Sequence, residues 1–388
     1  MQNNFKMVAT TLYGLEDILA DELLKLGAQD IHKQVRSVSF YGDDGFMYKA
    51  NLALRTAIRV LKTLQTFKVS DEDEMYKKIN AIEWDKYIGV DETFAINAVV
   101  NSDNFTTNSH YISLKSKDAI ADYFRDKYGK RPNVDIKEPN LRINVHIHNN
   151  QCTVYLDSSG MSLHKRGYKT ATNIAPINEV LAAGLLMLAG YDGTTHFIDP
   201  MCGSGTILIE AAMIANKIPP NINRVEFGFE NWRDFNEPLY DKIHDALLNK
   251  VVSNPNKIIG IDKAPSAINK ANQNIENANL QEFITIEEAD FFASSKTLSG
   301  PTIMVFNPPY GERLAIQADL FYKCIGDTLK KSYSNVKAWF ITSDLEAIKH
   351  VGLKTSRRIP LKNGPLDCRF VCYDIYEGSK KASKNESY

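Results

Sequence analysis

The chain has 388 residues, 44% hydrophobic and 24% charged, which is enough for two or three domains that each bury a core. Its 46 Lys and Arg balance 47 Asp and Glu, and residues 1–155 alone carry 20 basic against 21 acidic side chains, so no global positive field marks a nucleic-acid partner. Met1–Lys6 begins no signal peptide and no apolar run nears the ~18–20 residues that span a bilayer, so a cytoplasmic location is expected.

The first segment reads as small βα units. A short strand is expected at Lys6–Leu12 and a helix at Gly14–Leu26, whose Leu15, Ile18, Leu19, Leu23 and Leu26 recur at helical spacing before Gly27. Strand character follows at Ile31–Tyr41, a helical pattern from Phe46 to about Leu64, and an acidic loop at Ser70–Glu74. A second unit holds a strand at Thr93–Val100, a helix at Lys117–Tyr128, and the strands Leu141–His148 and Gln151–Asp157, with Asn149-Asn150 as a tight turn. His146 and His148 share a face but lack Cys or carboxylate companions, so no metal site is expected. Residues 158–174, with the basic run His164-Lys165-Arg166-Gly167-Tyr168-Lys169, read as an exposed linker.

Beyond it strand and helix alternate regularly, the pattern of a parallel sheet covered on both faces. The expected strands are His196–Asp199, Lys257–Asp262, Phe283–Glu287, Thr302–Phe306, Val336–Thr342 and Arg369–Tyr376; the helices are Pro176–Leu188, Thr206–Asn216, Pro265–Asn277, Asp319–Ser332 and Asp344–His350. The fold class is therefore α/β, a Rossmann-like domain over 175–377 preceded by α+β units at 1–60 and 61–157. Residues 378–388, polar and rich in Lys and Ser, read as a disordered tail. Five cysteines (Cys152, Cys202, Cys324, Cys368, Cys372) without a C-x-x-C pair suit neither a disulfide framework nor zinc.

Asp199-Pro200-Met201-Cys202-Gly203-Ser204-Gly205-Thr206 lies between a strand and a helix, where glycines let a ligand approach the backbone. A Walker loop would need a lysine where Thr206-Ile207 stand, and a dinucleotide fingerprint would need a small residue at Leu208 and an acid ~20 positions on. The first acid at a following strand end is Asp262. A nucleoside without a pyrophosphate remains, and S-adenosylmethionine fits. Gly203 and Gly205 would admit its amino-acid and ribose portions, Asp262 would take the ribose hydroxyls, and Asp290 would sit beside adenine. Cys202 is read as a small buried packer within that loop.

Asn307-Pro308-Pro309-Tyr310 ends the apolar strand Thr302–Phe306, at the edge where open α/β sheets bind ligands. An exocyclic base amine is a poor nucleophile because its lone pair is delocalised into the ring. The Asn307 side-chain oxygen and the Pro308 carbonyl can accept its two N–H bonds and turn that lone pair toward a sulfonium methyl. Pro309 stiffens the loop, and Tyr310 would stack on a flipped base and occupies the place where pyrimidine-carbon methylation would need cysteine.

These two motifs, extended by Ile207–Ala212 and Gly311–Leu314, resemble class I amino methyltransferases joined to a THUMP RNA-binding domain. Asp118–Asp122, Arg131–Asp135, Leu156–Gly160, Leu163–Tyr168 and Ala175–Glu179 are similar to the same family's upstream segments, so the resemblance spans about residues 5–377. It is nearest to bacterial large-subunit ribosomal RNA guanine-N2 methyltransferases, some of which carry the genome label of N6-adenine-specific DNA methylase. The resemblance implies a ferredoxin-like unit, a THUMP module that grips RNA and a Rossmann-like domain. It also implies donor binding by Asp199, Cys202, Gly203, Gly205, Thr206, Asp262, Asp290 and Asn307, and base binding by Asn307, Pro308, Pro309 and Tyr310. Long bacterial relatives add a second methyltransferase domain, for which these residues leave no room, so a second methylation is not expected.

Positive charge concentrates in two stretches. Lys165, Arg166 and Lys169 lie in the linker, and Lys349, Lys354, Arg357, Arg358, Lys362 and Arg369 oppose only Asp367. Both could contact RNA phosphates. The expected activity is methylation of guanine N2 in ribosomal RNA. A tRNA guanine-N2 methyltransferase, an adenine-N6 DNA methylase and a non-catalytic RNA-binding assembly protein are the alternatives.

Overall fold

The computed structural model describes residues 4–102, 105, 108–170, 176–309 and 318–376. Its N-terminal part runs β1 (Phe5–Thr10), α1 (Glu16–Leu26), β2 (Gln29–Gln34), β3 (Ser37–Gly42), α2 (Asp44–Ala53), β4 (Arg59–Lys68), α3 (Glu72–Asn80), β5 (Thr93–Asn101), α4 (Ser109–Tyr128), β6 (Asn133–Val134), β7 (Leu141–His148) and β8 (Gln151–Asp157). Among the described residues these strands form one sheet of eight in the order β2-β3-β1-β4-β8-β7-β5-β6. β4 pairs with β1 on one side and β8 on the other, so the two α+β units share a continuous sheet.

Several expectations change here. The helical pattern after Phe46 ends at Ala53, and Val60, Leu61, Thr63, Thr66 and Phe67 belong to β4, where β-formers and ladder pairing outweigh an ambiguous apolar spacing. Ser70–Glu74 is not a loop but the start of α3. Asp71 Oδ1 accepts the Glu74 N–H, and Glu74 Oε2 accepts the Ser70 N–H, so the acidic run caps a helix. Ile31–Tyr41 is two strands of a hairpin, and α4 begins at Ser109, two turns earlier than its apolar periodicity suggests. The β7–β8 hairpin is as expected, with Asn149 in the left-handed region at φ 52°.

The C-terminal part follows as α5 (Glu179–Leu188), β9 (His196–Asp199), α6 (Thr206–Ala215), α7 (Glu237–Leu248), β10 (Ile258–Asp262), α8 (Pro265–Asn277), β11 (Ile284–Glu288), β12 (Thr302–Phe306), α9 (Ala318–Ser332), β13 (Val336–Thr342), β14 (Arg357–Asn363) and β15 (Leu366–Ile375). The sheet order is β11-β10-β9-β12-β13-β15-β14; the first five strands are parallel and β15 is antiparallel to both its neighbours. Buried clusters cover both faces. The helix expected at Asp344–His350 is a 3-10 turn, Ala347–Val351, with Asp344 Oδ1 accepting the Ala347 N–H. α7 and β14 have no counterpart among the sequence-based elements. No helix of the described residues is long and apolar enough to cross a membrane.

Two features weld the parts together. Between α6 and β10, the chain leaves the parallel sheet and lays Phe227, Phe229, Trp232 and Leu247 into the N-terminal core. Asn221 Nδ2 donates to the Asn51 carbonyl, and Tyr48 Oη accepts the Asn236 N–H. The second feature is a buried charge network. Arg55 Nη2 donates to the Met213 and Ile218 carbonyls at the end of α6, at 3.0 and 2.7 Å. Arg166 Nε meets Glu210 Oε1 of α6 at 3.2 Å, and its Nη2 donates to the Arg55 carbonyl at 2.6 Å.

The stretch taken for an exposed linker is therefore in part interior among its described residues. Ser158, Ser159, Leu163, Arg166 and Tyr168 are buried. A basic run looks solvated in sequence, but the partner that admits Arg166 to the interior, Glu210, lies 44 residues away.

Candidate functional site

β9, β10 and β12 end side by side, and the loops after them enclose a cleft of about 250 Å³ lined by Pro200, Met201, Asp262, Lys263, Asp290, Phe291, Phe292, Asn307, Pro309 and Phe321. This is the carboxyl edge of a parallel sheet, where the reversal of strand order about β9 leaves room for a ligand. The chain builds it from close backbone approaches. Gly203 and Gly205 adopt φ values of 56° and 81°, which L side chains rarely take. A Cβ at Gly205 would meet that of Ala271 on α8 at 3.3 Å, and one at Gly260 in β10 would strike Leu208 Cδ1 at 2.3 Å. Gly260 carried no signal in the sequence, since its need for a bare Cα comes from α6 pressing on the sheet.

The loop is fixed from several sides. Asp262 Oδ2 accepts the Gly203 N–H at 2.9 Å and its Oδ1 accepts the Ala264 N–H at 3.0 Å, which leaves further lone pairs for sugar hydroxyls. Asn274 Nδ2 of α8 donates to the Ser204 carbonyl, and the Cys202 N–H donates to Ile261. The Cys202 thiol is buried and pushed far up by that burial, with Asp199 and Asp262 adding, so it packs rather than reacts. Thr206 opens α6 with its Oγ1 buried and without a partner among the described residues. Asp290 Oδ1 caps the turn Phe291–Ala293, and Phe292 meets Phe321 edge to face at 5.4 Å. Lys263, Phe292 and Phe321 were not picked out from sequence, because nothing local marks a residue that only lines a cleft.

Asp199 is almost wholly buried, and its Oδ1 accepts the Met201 N–H at 3.2 Å. Burial pushes its carboxyl well above the usual range, and the Asp262 charge adds to this. A carboxyl that holds its proton more tightly in the fold than in the unfolded chain loses stability as pH rises from the ordinary value of about 3.9 through its folded value. Asp199 is thus a stability cost at neutral pH, one that a cationic ligand would offset. Asp199→Asn keeps the acceptor for Met201. It is expected to raise Tm at neutral pH by roughly 2–4 °C, to flatten the decline of Tm with pH, and to weaken binding of a cationic ligand about tenfold. Thermal melts from acidic to neutral pH and calorimetric titration check both, and a lower Tm at neutral pH would contradict the assignment.

Asn307 follows β12 at the cleft mouth. Its Oδ1 is buried with no partner among the described residues, a state that ordinarily costs about 1–3 kcal/mol. Pro308 and Pro309 stand next to it; Tyr310 lies outside the described residues. Asp199, Asp262 and Asp290, with an orphan acceptor at the mouth, suit a positively charged nucleoside ligand and a second molecule that brings an N–H.

The basic stretches separate. Arg166 is spent on Glu210, and Lys169 Nζ lies 3.0 Å from Glu179 Oε1 and 2.9 Å from the Ile177 carbonyl, so neither is free for RNA. Lys165 is exposed without a carboxylate partner among the described residues. Arg357 and Arg358 are exposed on the outermost strand, opposite Cys372 and Val371 at mid-sheet. Arg369, which pairs with Thr342, and Lys362, one step further out, lie nearer the carboxyl edge.

Residues 166–371 match the family model described as the RMKL-like methyltransferase domain, 69–157 the THUMP domain and 6–61 the RlmL ferredoxin-like domain. A Synechocystis sp. protein provisionally named an RNA methyltransferase is 35% identical over 371 residues, 95% of this chain and 96% of that one. The ribosomal RNA large subunit methyltransferase K/L of Syntrophotalea carbinolica is 33% identical over 97% of this chain; this chain spans about half, 54%, of that protein. Among solved structures, SMU.472, a candidate methyltransferase complexed with SAH, superposes with a TM-score of 0.87 at 27% identity, covering 98% of this chain and 100% of that one.

Proposed function

The chain belongs to the RMKL-like methyltransferase family, and from that premise we propose that it methylates the exocyclic N2 of a guanine in large-subunit ribosomal RNA. S-adenosylmethionine is the donor and supplies the activated sulfonium methyl. Asp262 would hold the ribose diol, Asp290 would lie toward the adenine, Asp199 would answer the positive charge, and Gly203 and Gly205 would leave room for the amino-acid end. The observation that carries the reading is the buried Asn307 Oδ1, without a partner among the described residues, at the mouth of this acidic cleft.

That oxygen and the Pro308 carbonyl accept the two amine N–H bonds and aim the nitrogen lone pair at the methyl carbon. The N–C bond forms as the S–C bond breaks, and the proton left on the methylated nitrogen passes to water. Positioning and fixed acceptors account for the catalysis, so no metal or covalent intermediate enters. Tyr310 is assigned to stacking on the flipped base.

The THUMP match and the name of the K/L relative support an RNA, and specifically ribosomal, substrate. Lys165, Arg357 and Arg358 are the proposed phosphate contacts. Reversing Arg357 and Arg358 to Glu is expected to weaken binding about tenfold for every RNA sequence and to flatten its salt dependence; unchanged affinity would remove them from the interface. The test of the activity is transfer of labelled methyl from the donor to hypomethylated ribosomal RNA, tRNA and DNA, followed by nucleoside digestion. Label in N2-methylguanosine of the large-subunit RNA is expected, whereas label only in N6-methyladenosine or only in tRNA would refute the assignment.

A further inference from the structure

The eight-stranded sheet packs its helices on one face. Along β7 and β8 burial alternates: Ile143, Val145, Cys152 and Val154 join Ile79 of α3 and Ile120 of α4 in the core, while Asn144, His146, Thr153 and Tyr155 are half-buried. On β5 the same alternation leaves Asn97, Val99 and Asn101 exposed. This is the pattern of an antiparallel-rich sheet with one solvated face.

Charge is sorted between the two sides. Acids gather with the helices, where Glu16 and Asp17 open α1 and Glu72, Asp73 and Glu74 open α3. On the open face of β1, β4, β5, β7 and β8, the strand registers place Lys6, Arg59, Lys68 and Arg142 against one acid among the described residues, Asp157. Asp157 is buried and ion-paired with Arg59. Arg142 Nη2 donates to the Ile136 and Lys137 carbonyls, which uses hydrogen bonds but leaves the positive charge in place. Lys6 and Lys68 are exposed without an ion-pair partner among the described residues. The near balance of 46 bases and 47 acids in the whole chain hides this sorting, and the face it creates is complementary to a polyanion.

The middle of the face is built of rings and polar side chains. Tyr155 is flanked in register by Thr63 of β4 and Asn144 of β7, and His146 stands on the same face, opposite Thr153. Lys6 precedes the Met7 that pairs with Lys62, which brings it level with Thr63. Thr63 Oγ1 and Asn144 Nδ2 have no hydrogen-bond partner among the described residues. Burial first, then His148, lowers the His146 pKa, so its imidazole is neutral near pH 7. A phenol and a neutral imidazole among amides and hydroxyls on a β surface offer a stacking platform to splayed bases, which a duplex keeps inside its own stack.

Resting on the RNA reading above, we propose that the open face of the N-terminal sheet is the docking surface for an unpaired stretch of the substrate RNA, its bases on Tyr155 and His146 and its phosphates toward Lys6, Lys68 and Arg142.

Fluorescence anisotropy of a fluorescein-labelled hairpin RNA with an unpaired loop, beside a fully paired duplex of equal length, tests this. Tyr155→Ala is expected to weaken loop binding about tenfold and to spare the duplex, with Tyr155→Phe close to wild type. The double variant Lys6→Glu, Lys68→Glu is expected to weaken loop binding about tenfold and to flatten its salt dependence, whereas Lys25→Glu, an equal change on α1 at the other face, leaves it unchanged. Donor affinity should stay at the wild-type value in each. The lysine reversals alter only exposed side chains, so they test the surface even if Tyr155→Ala disturbs the sheet. Wild-type loop affinity in the lysine double variant, or equal weakening by Lys25→Glu, overturns the docking surface and leaves the activity standing. Failure of the wild-type protein to bind either RNA overturns both.

Discussion

Asn307→Ala is expected to lower the rate of methyl transfer by about 10²–10³-fold while leaving donor affinity within about threefold, because the side chain removed is a preorganised acceptor used only when the amine approaches. The fold should tolerate the change. Asn307 Oδ1 is a buried acceptor without a partner among the described residues, so truncation removes an unsatisfied group rather than a bond, and Tm should stay level or rise slightly. Asn307→Asp is the sharper variant. Its carboxylate would still accept N–H bonds but puts a further acidic group beside Asp199, Asp262 and Asp290, so donor binding and turnover should separate. Single-turnover kinetics beside calorimetric donor titration read the two effects, and an Asn307→Ala protein with wild-type turnover would defeat the mechanism.

Removal of residues 1–157 is expected to leave a C-terminal fragment that does not fold to a soluble monomer. The reason lies in the insertion between α6 and β10. Phe227, Phe229 and Trp232 are buried in the N-terminal core, and each aromatic hides ~150–250 Å². Without that core they would form a patch beyond the few hundred Å² that soluble monomers expose. The same cut removes Arg55, which caps the carbonyls ending α6 and supports Arg166 against Glu210. Burial pushes the Glu210 carboxyl up, opposed first by Arg166 and then by Arg55, so losing one cation leaves an undercompensated buried charge on the helix that the donor loop opens. The full chain should accordingly melt in one cooperative transition. A soluble fragment starting at residue 158 with a sharp melting transition would show that the two parts are independent.

These dependencies mark where sequence legibility ends. The strand–glycine-loop–helix unit at Asp199–Thr206 and the strand leading to Asn307 were readable, because their chemistry and geometry are local: φ at two glycines, an acid at a strand end, an amide before two prolines. α8 was placed to the residue, since Pro265 starts it and its apolar stripe is regular. Residues 217–256 were silent because Phe227, Phe229, Phe235 and Tyr240 complete the core of the N-terminal part, far back in the sequence, and no periodicity within a segment reports a distant partner. Arg166 was misread for the same reason. A run of His, Lys and Arg carries no trace of the single carboxylate that pulls one member inside. Nor does the basic stretch of Lys349–Arg369 show in sequence which of its members lie where; the antiparallel pairing of β14 with β15 puts Arg357 and Arg358 at mid-sheet on the outermost strand and Lys362 and Arg369 nearer the carboxyl edge.

The central claim is that one guanine amine in large-subunit ribosomal RNA is the acceptor. Mass spectrometry of nucleosides from size-separated ribosomal RNA and tRNA, taken from cells with and without the gene, tests it most directly. Loss of N2-methylguanosine from the large-subunit fraction, restored by the wild-type protein but not by Asn307→Ala, is the predicted result. An unchanged large-subunit fraction alongside loss in tRNA would contradict it.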